Sequence, residues 1–166
     1  MATGDVIAVL EAQHQQVKAM LEQVSSASGA QKGTAFGQLK RMAVAHETSE
    51  EETIYPALRA TGGDGQRLAE AREAEQAEAM QVITRLEGMD PASEEFSRTF
   101  SELRQAMLAH AEAEEREVFP LLQRTQTEAA LREMARPFEV AQQQGAPDQH
   151  AKDIEREVRD ALRKAS

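Results

Sequence analysis

The chain contains no cysteine and no tryptophan, and only one tyrosine and five phenylalanines. Without cysteine there are no disulfides, no thiolate zinc sites and no thiol nucleophile. Basic residues are in deficit, 19 Lys and Arg against 29 Asp and Glu, for a net charge of −10. No run of Lys and Arg builds a positive face, so neither nucleic acid nor an anionic membrane is expected as a partner. No window approaches a membrane-spanning apolar run, and the first twenty residues, with Asp5, His14 and Lys18, lack the apolar stretch of a secretory signal. A cytoplasmic protein is the expectation.

Ala, Glu, Gln, Leu, Arg and Met dominate what remains. These are strong helix formers, and the scarcity of β-branched and aromatic residues leaves little to build a sheet. The expected class is all-α. With 166 residues the chain makes one domain, or one domain with a tail, large enough to bury about 70% of its unfolded surface.

Two of only four histidines occupy the same place in a duplicated motif. His46-Glu-Thr-Ser-Glu50-Glu51-Glu52-Thr-Ile-Tyr55-Pro56 recurs as His110-Ala-Glu-Ala-Glu114-Glu115-Arg-Glu117-Val-Phe119-Pro120. In a helix, residues i and i+4 share one face, so each copy projects an imidazole and a carboxylate from one stripe. On the second helix that stripe continues Leu39, Met42 and Ile54; on the fourth it continues Leu103, Met107, Val118 and Leu121. A polar pair on a core-facing stripe costs several kcal/mol, about 2–7, unless it is satisfied, and a metal ion satisfies it. Imidazole with carboxylate suits a first-row metal such as iron, manganese or zinc. A single His-x-x-x-Glu would usually be a buried polar network or a pair on a solvated face. The matched second copy favours metal.

Helical periodicity places the first helix from Asp5, with Leu10, Val17, Leu21 and Val24 on its apolar face. The second is expected from about Thr34, with Pro56 near its end, and the third from Leu68 to Leu86 after a Thr61–Gly65 loop. The fourth follows an N-cap signal at Ser93. Four such helices with short loops make an up-down-up-down antiparallel bundle over residues 1–124, in two repeats of about 5–59 and 66–123. Residues 125–166 read as a helical C-terminal extension. Its first helix is expected to be interrupted at Pro137, and its last to start at Asp148 or Gln149.

The duplication extends upstream. His14 is followed by Met20, Leu21 and Val24 at the offsets at which Gln76 is followed by Val82, Ile83 and Leu86. Gln76 is thus the counterpart of His14, with an amide in place of an imidazole.

The order His14, His46-x-x-x-Glu50, Gln76, His110-x-x-x-Glu114, with Glu-rich sequence, an aromatic and Pro after each long motif, resembles the hemerythrin-like HHE cation-binding domain over about residues 5–123. The resemblance implies a four-helix bundle with a non-haem di-iron centre. It puts His14 and His46 on one metal, His110 on the other, and Glu50 and Glu114 as bridges. Members bind dioxygen, handle peroxide or nitric oxide, or sense iron and oxygen. Gln76 departs from the family's third-helix histidine, so the second site is expected to be weaker unless Glu73, Glu75 or Glu78 reaches it. The competing class is a metal-poor or single-metal bundle used in iron handling or protein interaction. Glu51, Glu52, Glu115 and Glu117 are expected in solvent, Tyr55 in packing, and His150 on the surface.

Overall fold

The structure is a computed structural model and describes residues 4–166. Among these residues every regular element is helical: α1 (Val6–Ser26), α2 (Ala30–Glu52), α3 (Ile54–Ala60), α4 (Gly63–Glu87), α5 (Glu94–Ala113), a π-helical turn (Glu114–Val118), α6 (Phe119–Thr125), α7 (Glu128–Ala141) and α8 (Ala151–Ala165). Among the described residues, no helix is long and apolar enough to cross a membrane.

The helix starts follow their capping chemistry. Asp5 accepts from Ala8 N at 3.1 Å, and Ser93 Oγ accepts from Phe96 N at 3.1 Å. Each satisfies one amide that the first helical turn leaves without a partner. Glu94 and Glu95 then place negative charge in the first turn of α5, where the helix dipole favours it.

More helices appear than the four expected, and proline explains part of the difference. Pro56 has no N–H to donate to Glu52, and its ring crowds that carbonyl. The second helix accordingly breaks at Thr53 and restarts as α3. Pro120 raises the same conflict with Arg116. Here the chain widens into a π turn, in which Phe119 N donates to Glu114 O. The closing prolines of the duplicated motif thus interrupt regular α-helix near the end of each His-x-x-x-Glu segment, at Thr53 in one repeat and over Glu114–Val118 in the other.

Other expected boundaries shift. Helix α4 begins at Gly63, leaving only Thr61 and Gly62 as a link, and Gly62 sits at φ +70°, where glycine is favoured. Pro137 does not interrupt α7; it lies inside a continuous helix. Ala135, Phe138 and Ala141 around it are buried, and that packing outweighs one missing hydrogen bond. The last helix starts at Ala151, with His150 as its N-cap residue.

Helix α1 packs against α2, α5 and α7; α4 packs against α3 and α5; α8 runs along α2. The apolar interior has two parts. One gathers Leu39, Met42, Ile83, Leu86, Phe96, Phe100 and Leu103, together with Ile154, Val158 and Leu162 of α8. The other gathers Leu10, Ile54, Leu58, Leu122 and Phe138 of α7. The two C-terminal helices therefore share the interior of the preceding ones. Along α1, α2, α4 and α5 most of the buried polar residues fall between these clusters: His14 lies between Leu10 and Val17, and Gln76 between Ala69 and Ala79. A polar layer divides an apolar interior.

Candidate metal centre

Four of the six residues singled out from sequence converge tightly. One ligating atom from each of His14, His46, Glu50 and Glu114 lies within 4.8 Å of every other, and all four residues are buried. His46 Nε2 is 3.2 Å from Glu50 Oε1, and His14 Nε2 is 3.4 Å from Glu114 Oε1. His110 adjoins this group, its Nε2 3.4 Å from Glu114 Oε1 and 3.4 Å from Gln76 Nε2. Gln76 donates to Glu50 Oε1 at 3.0 Å and to Tyr55 Oη at 2.8 Å. All six therefore meet in one layer, with His110 and Gln76 on one side of it.

Each imidazole is held from behind. His14 Nδ1 is 3.0 Å from Glu115 Oε1, His110 Nδ1 is 3.0 Å from Glu75 Oε1, and His46 Nδ1 is 2.7 Å from Gln13 Oε1. An acceptor on Nδ1 fixes the proton there and leaves Nε2 bare and facing inward, the tautomer a metal requires. Cations back two of these acceptors: Arg72 Nε lies 2.7 Å from Glu75, and Lys18 Nζ lies 4.0 Å from Glu115. Phe119 stacks on His14 at 5.6 Å, and Phe138 from α7 packs 6.0 Å from His46.

The inward atoms lack partners. His14 Nε2, His46 Nε2, Glu50 Oε2, Glu114 Oε1 and Gln76 Oε1 are buried without a hydrogen bond. One such atom costs about 1–3 kcal/mol, and charged groups cost more. Five gathered in one layer would be a large penalty unless something occupies their common focus. Nitrogen and carboxylate oxygen donors without sulfur fit iron, manganese or zinc.

The electrostatics match that focus. Burial, reinforced by neighbouring His14, pushes His46 down to about 3 and keeps it neutral. Burial, then Glu114, raises Glu50 well above the usual carboxylate range. Burial also opposes ionisation of Glu114, but the neighbouring His110 outweighs it, with His14 adding to the effect, and together they hold Glu114 low. Burial would lower His110 too; Glu114 and Glu75 prevail and raise it. Without metal, then, the pair of carboxylates shares a proton. Cations would replace that proton and draw both carboxylates into their ionised form.

Several neighbours differ from the sequence reading. Glu115, expected in solvent, is half-buried against His14. Glu51 and Glu52 clasp Arg159 of α8 rather than standing free. Tyr55 is fully buried and donates to Glu114 Oε2 at 3.0 Å, so it belongs to the polar layer as well as to the packing. Glu75 does not turn inward but supports His110, and Glu73 pairs with Arg59. Gln13 and Phe138 were not anticipated. Nothing in the local pattern marks Gln13, whose partner lies on another helix, and Phe138 arrives from the tail. His150 is exposed, as expected.

Such an arrangement, a helical frame around buried inward-facing imidazoles and carboxylates, defines a cation-binding class of helical protein. The family model of the hemerythrin HHE cation binding domain matches residues 5–122, and the chain belongs to that family. A crystal structure of a hemerythrin HHE cation binding domain-containing protein from Mycobacterium kansasii superposes with a TM-score of 0.73. The match covers 98% of this chain and 99% of that one at 20% identity, a likeness of fold that includes the C-terminal helices. A protein described as a DNA nickase from Nostoc sp. is 25% identical over 136 residues. That match covers 80% of this chain but 38% of the relative.

Proposed function

We propose that this protein is a cytoplasmic non-haem iron protein that holds two metal ions and binds or reacts with a small oxidant such as dioxygen, peroxide or nitric oxide. The frame is read as an up-down-up-down bundle of α1, α2 with α3, α4, and α5 with α6, buttressed by α7 and α8. His14 and His46 would hold one ion, His110 the other, and Glu50 and Glu114 would serve both. The observation that carries this reading is the convergence of bare Nε2 and carboxylate oxygen atoms without hydrogen-bond partners. Iron would supply reversible electron transfer and a position open to an external ligand.

The protein's own part is to orient and to exclude water. Glu115, Glu75 and Gln13 fix the imidazoles, and Tyr55 and Gln76 hold the carboxylates. A cavity of about 20 Å³ lies against His14, His46 and His110, walled by Val17, Leu21 and Met107. That is about the room of one water, which supports a diatomic or peroxide-sized ligand.

Gln76 favours a second reading, in which a single ion binds tightly and the protein works in iron handling. Its amide is already committed to Glu50 and Tyr55 where the repeat predicts an imidazole. Metal content per chain, with a near-ultraviolet ligand-to-metal absorption band, tests both. Two iron ions and the band support the two-metal protein; one tight ion supports the alternative. Wild type that leaves purification without metal and takes none up, indistinguishable from His46→Ala with His110→Ala, defeats both readings.

A further inference from the structure

A cleft of about 430 Å³ opens between α2, α4 and α8, and its floor is Gln76. We infer that this cleft is the passage by which small ligands reach the metal centre, and that it ends at the coordination position Gln76 leaves unfilled. The inference rests on the metal-binding reading above.

Two independent features coincide here. The duplicated pattern drops its imidazole at one position only, Gln76, and that residue separates the cleft from the centre. Gln76 is 2% exposed, its Nε2 lies 3.0 Å from Glu50 and 3.4 Å from His110 Nε2, and its Oε1 has no partner. A site short of one ligand therefore meets a cleft at the place of the shortage. Glu47 lies beside Gln76 in the lining, and it also borders the 20 Å³ cavity among the imidazoles, so the two spaces share a wall.

The cleft has a structural cause. Helix α4 finds its main neighbours in α3 and α5, while α8 lies along α2, which leaves the α2–α4 seam thinly packed. Ala77 and Met80 form the α4 wall, the first exposed and the second half-buried. Entry there needs only the Gln76 side chain to give way. By contrast, the cavity among the imidazoles holds about one water behind Leu21, Met107 and Leu108, so a ligand arriving from that side would have to displace side chains. The carboxylates at the rim do not close the cleft to anions. Arg159 gathers Glu51 and Glu155, and Lys152, exposed on α8, adds a positive charge.

Azide binding to the ferric-loaded full-length protein tests the passage, with stopped-flow absorbance as the readout. Ala77→Trp plugs the cleft from an exposed position, and Met80→Trp does so from a half-buried one. Leu108→Trp plugs the opposite side. A plugged passage slows entry and exit together: association and dissociation rates should each fall about tenfold or more, with Kd changed by no more than about twofold. The chain has no tryptophan, so the introduced indole also reports without metal. At position 77 it should be shielded from acrylamide relative to the unfolded chain if it fills the cleft. Azide rates unchanged by either cleft variant but slowed by Leu108→Trp overturn the passage while leaving the metal centre intact. An indole at position 77 as open to acrylamide as in the unfolded chain, with unchanged rates in Met80→Trp, overturns it as well. No azide band in the wild type sinks the metal reading and the passage with it.

Discussion

Tyr55 donates from its phenol to Glu114 Oε2 over 3.0 Å, tying the closing aromatic of the first repeat to the carboxylate of the second. The equivalent aromatic in the second repeat is Phe119, which instead stacks on His14. The duplication has thus diverged into one polar and one apolar strut, both touching the same layer. Burial, reinforced by Glu114 and Glu50, raises Tyr55 well above the ordinary phenol range, so it stays a donor.

Tyr55→Phe should therefore leave Glu114 Oε2 and Gln76 Nε2 each short of a partner at nearly unchanged volume. The expected cost is about 1–3 kcal/mol of unfolding free energy, measured by urea denaturation of the metal-free protein. Unchanged stability would mean that the phenol contributes packing alone.

The sequence made the polar layer legible because its members recur at helical spacing on core-facing stripes. His46, Glu50, His110 and Glu114 follow from that periodicity, and His14 and Gln76 follow from aligning the repeat with itself. What the pattern hides is contact between elements distant in the chain. Gln13 meets His46, Glu115 meets His14, and Phe138 packs on His46, and in each case the partner lies on another helix. The helix breaks had a visible signal in Pro56 and Pro120, but whether a proline breaks, widens or merely rides in a helix is decided by packing. Pro137 rides in α7 because its neighbours are buried.

The C-terminal helices illustrate the same limit. Read alone, residues 125–166 look like an appendage, yet Ile154 and Val158 are fully buried with Leu39 and Leu86 in one cluster. Ile154→Ala should lower the stability of the whole protein by about 2–5 kcal/mol, in a single cooperative transition. A thermal melt in which the variant loses α8 while the remainder unfolds at the wild-type temperature would show that the tail is energetically separate.

Stability of the metal-free protein should peak at mildly acidic pH. Burial holds His46 down at about 3, so the unfolded chain takes the proton more readily, and stability is lost as pH falls from 6.5 toward 3. Glu114, held low although burial opposes it, acts the same way below 4.5. Burial pushes Glu47 up to about 8, so its contribution is complete below 4.5 and is lost as pH rises toward 8. Glu50 acts with it, and so does His110, raised despite burial, whose contribution is lost as pH rises above 6.5. Bound metal needs the ionised carboxylates and neutral imidazoles that alkaline pH favours. The fall in Tm on chelation should therefore be larger near about pH 8 than near about pH 5.5. An equal fall at both, with metal shown to leave, would remove the centre as the source of the pH dependence.

The asymmetry at Gln76 gives the sharpest test. His14 and His46 can both serve one ion with Glu50 and Glu114, whereas His110 has only the shared carboxylates and an amide beside it. A carboxylate from α4 does not make up the difference: Glu75 is engaged by His110 Nδ1 and Arg72, Glu73 by Arg59, and Glu78 is exposed. Under limiting iron, one ion per chain should bind tightly and the second more weakly. Gln76→His puts an imidazole at a buried position next to His110 Nε2 and removes an amide that now occupies Glu50. It should tighten the second ion by about tenfold or more, about 1.4 kcal/mol, and leave the first unchanged. Isothermal titration of the chelated protein separates the two steps. Two equally tight sites in the wild type, unmoved by Gln76→His, would defeat the asymmetric centre and require a carboxylate of α4 to turn inward on metal binding.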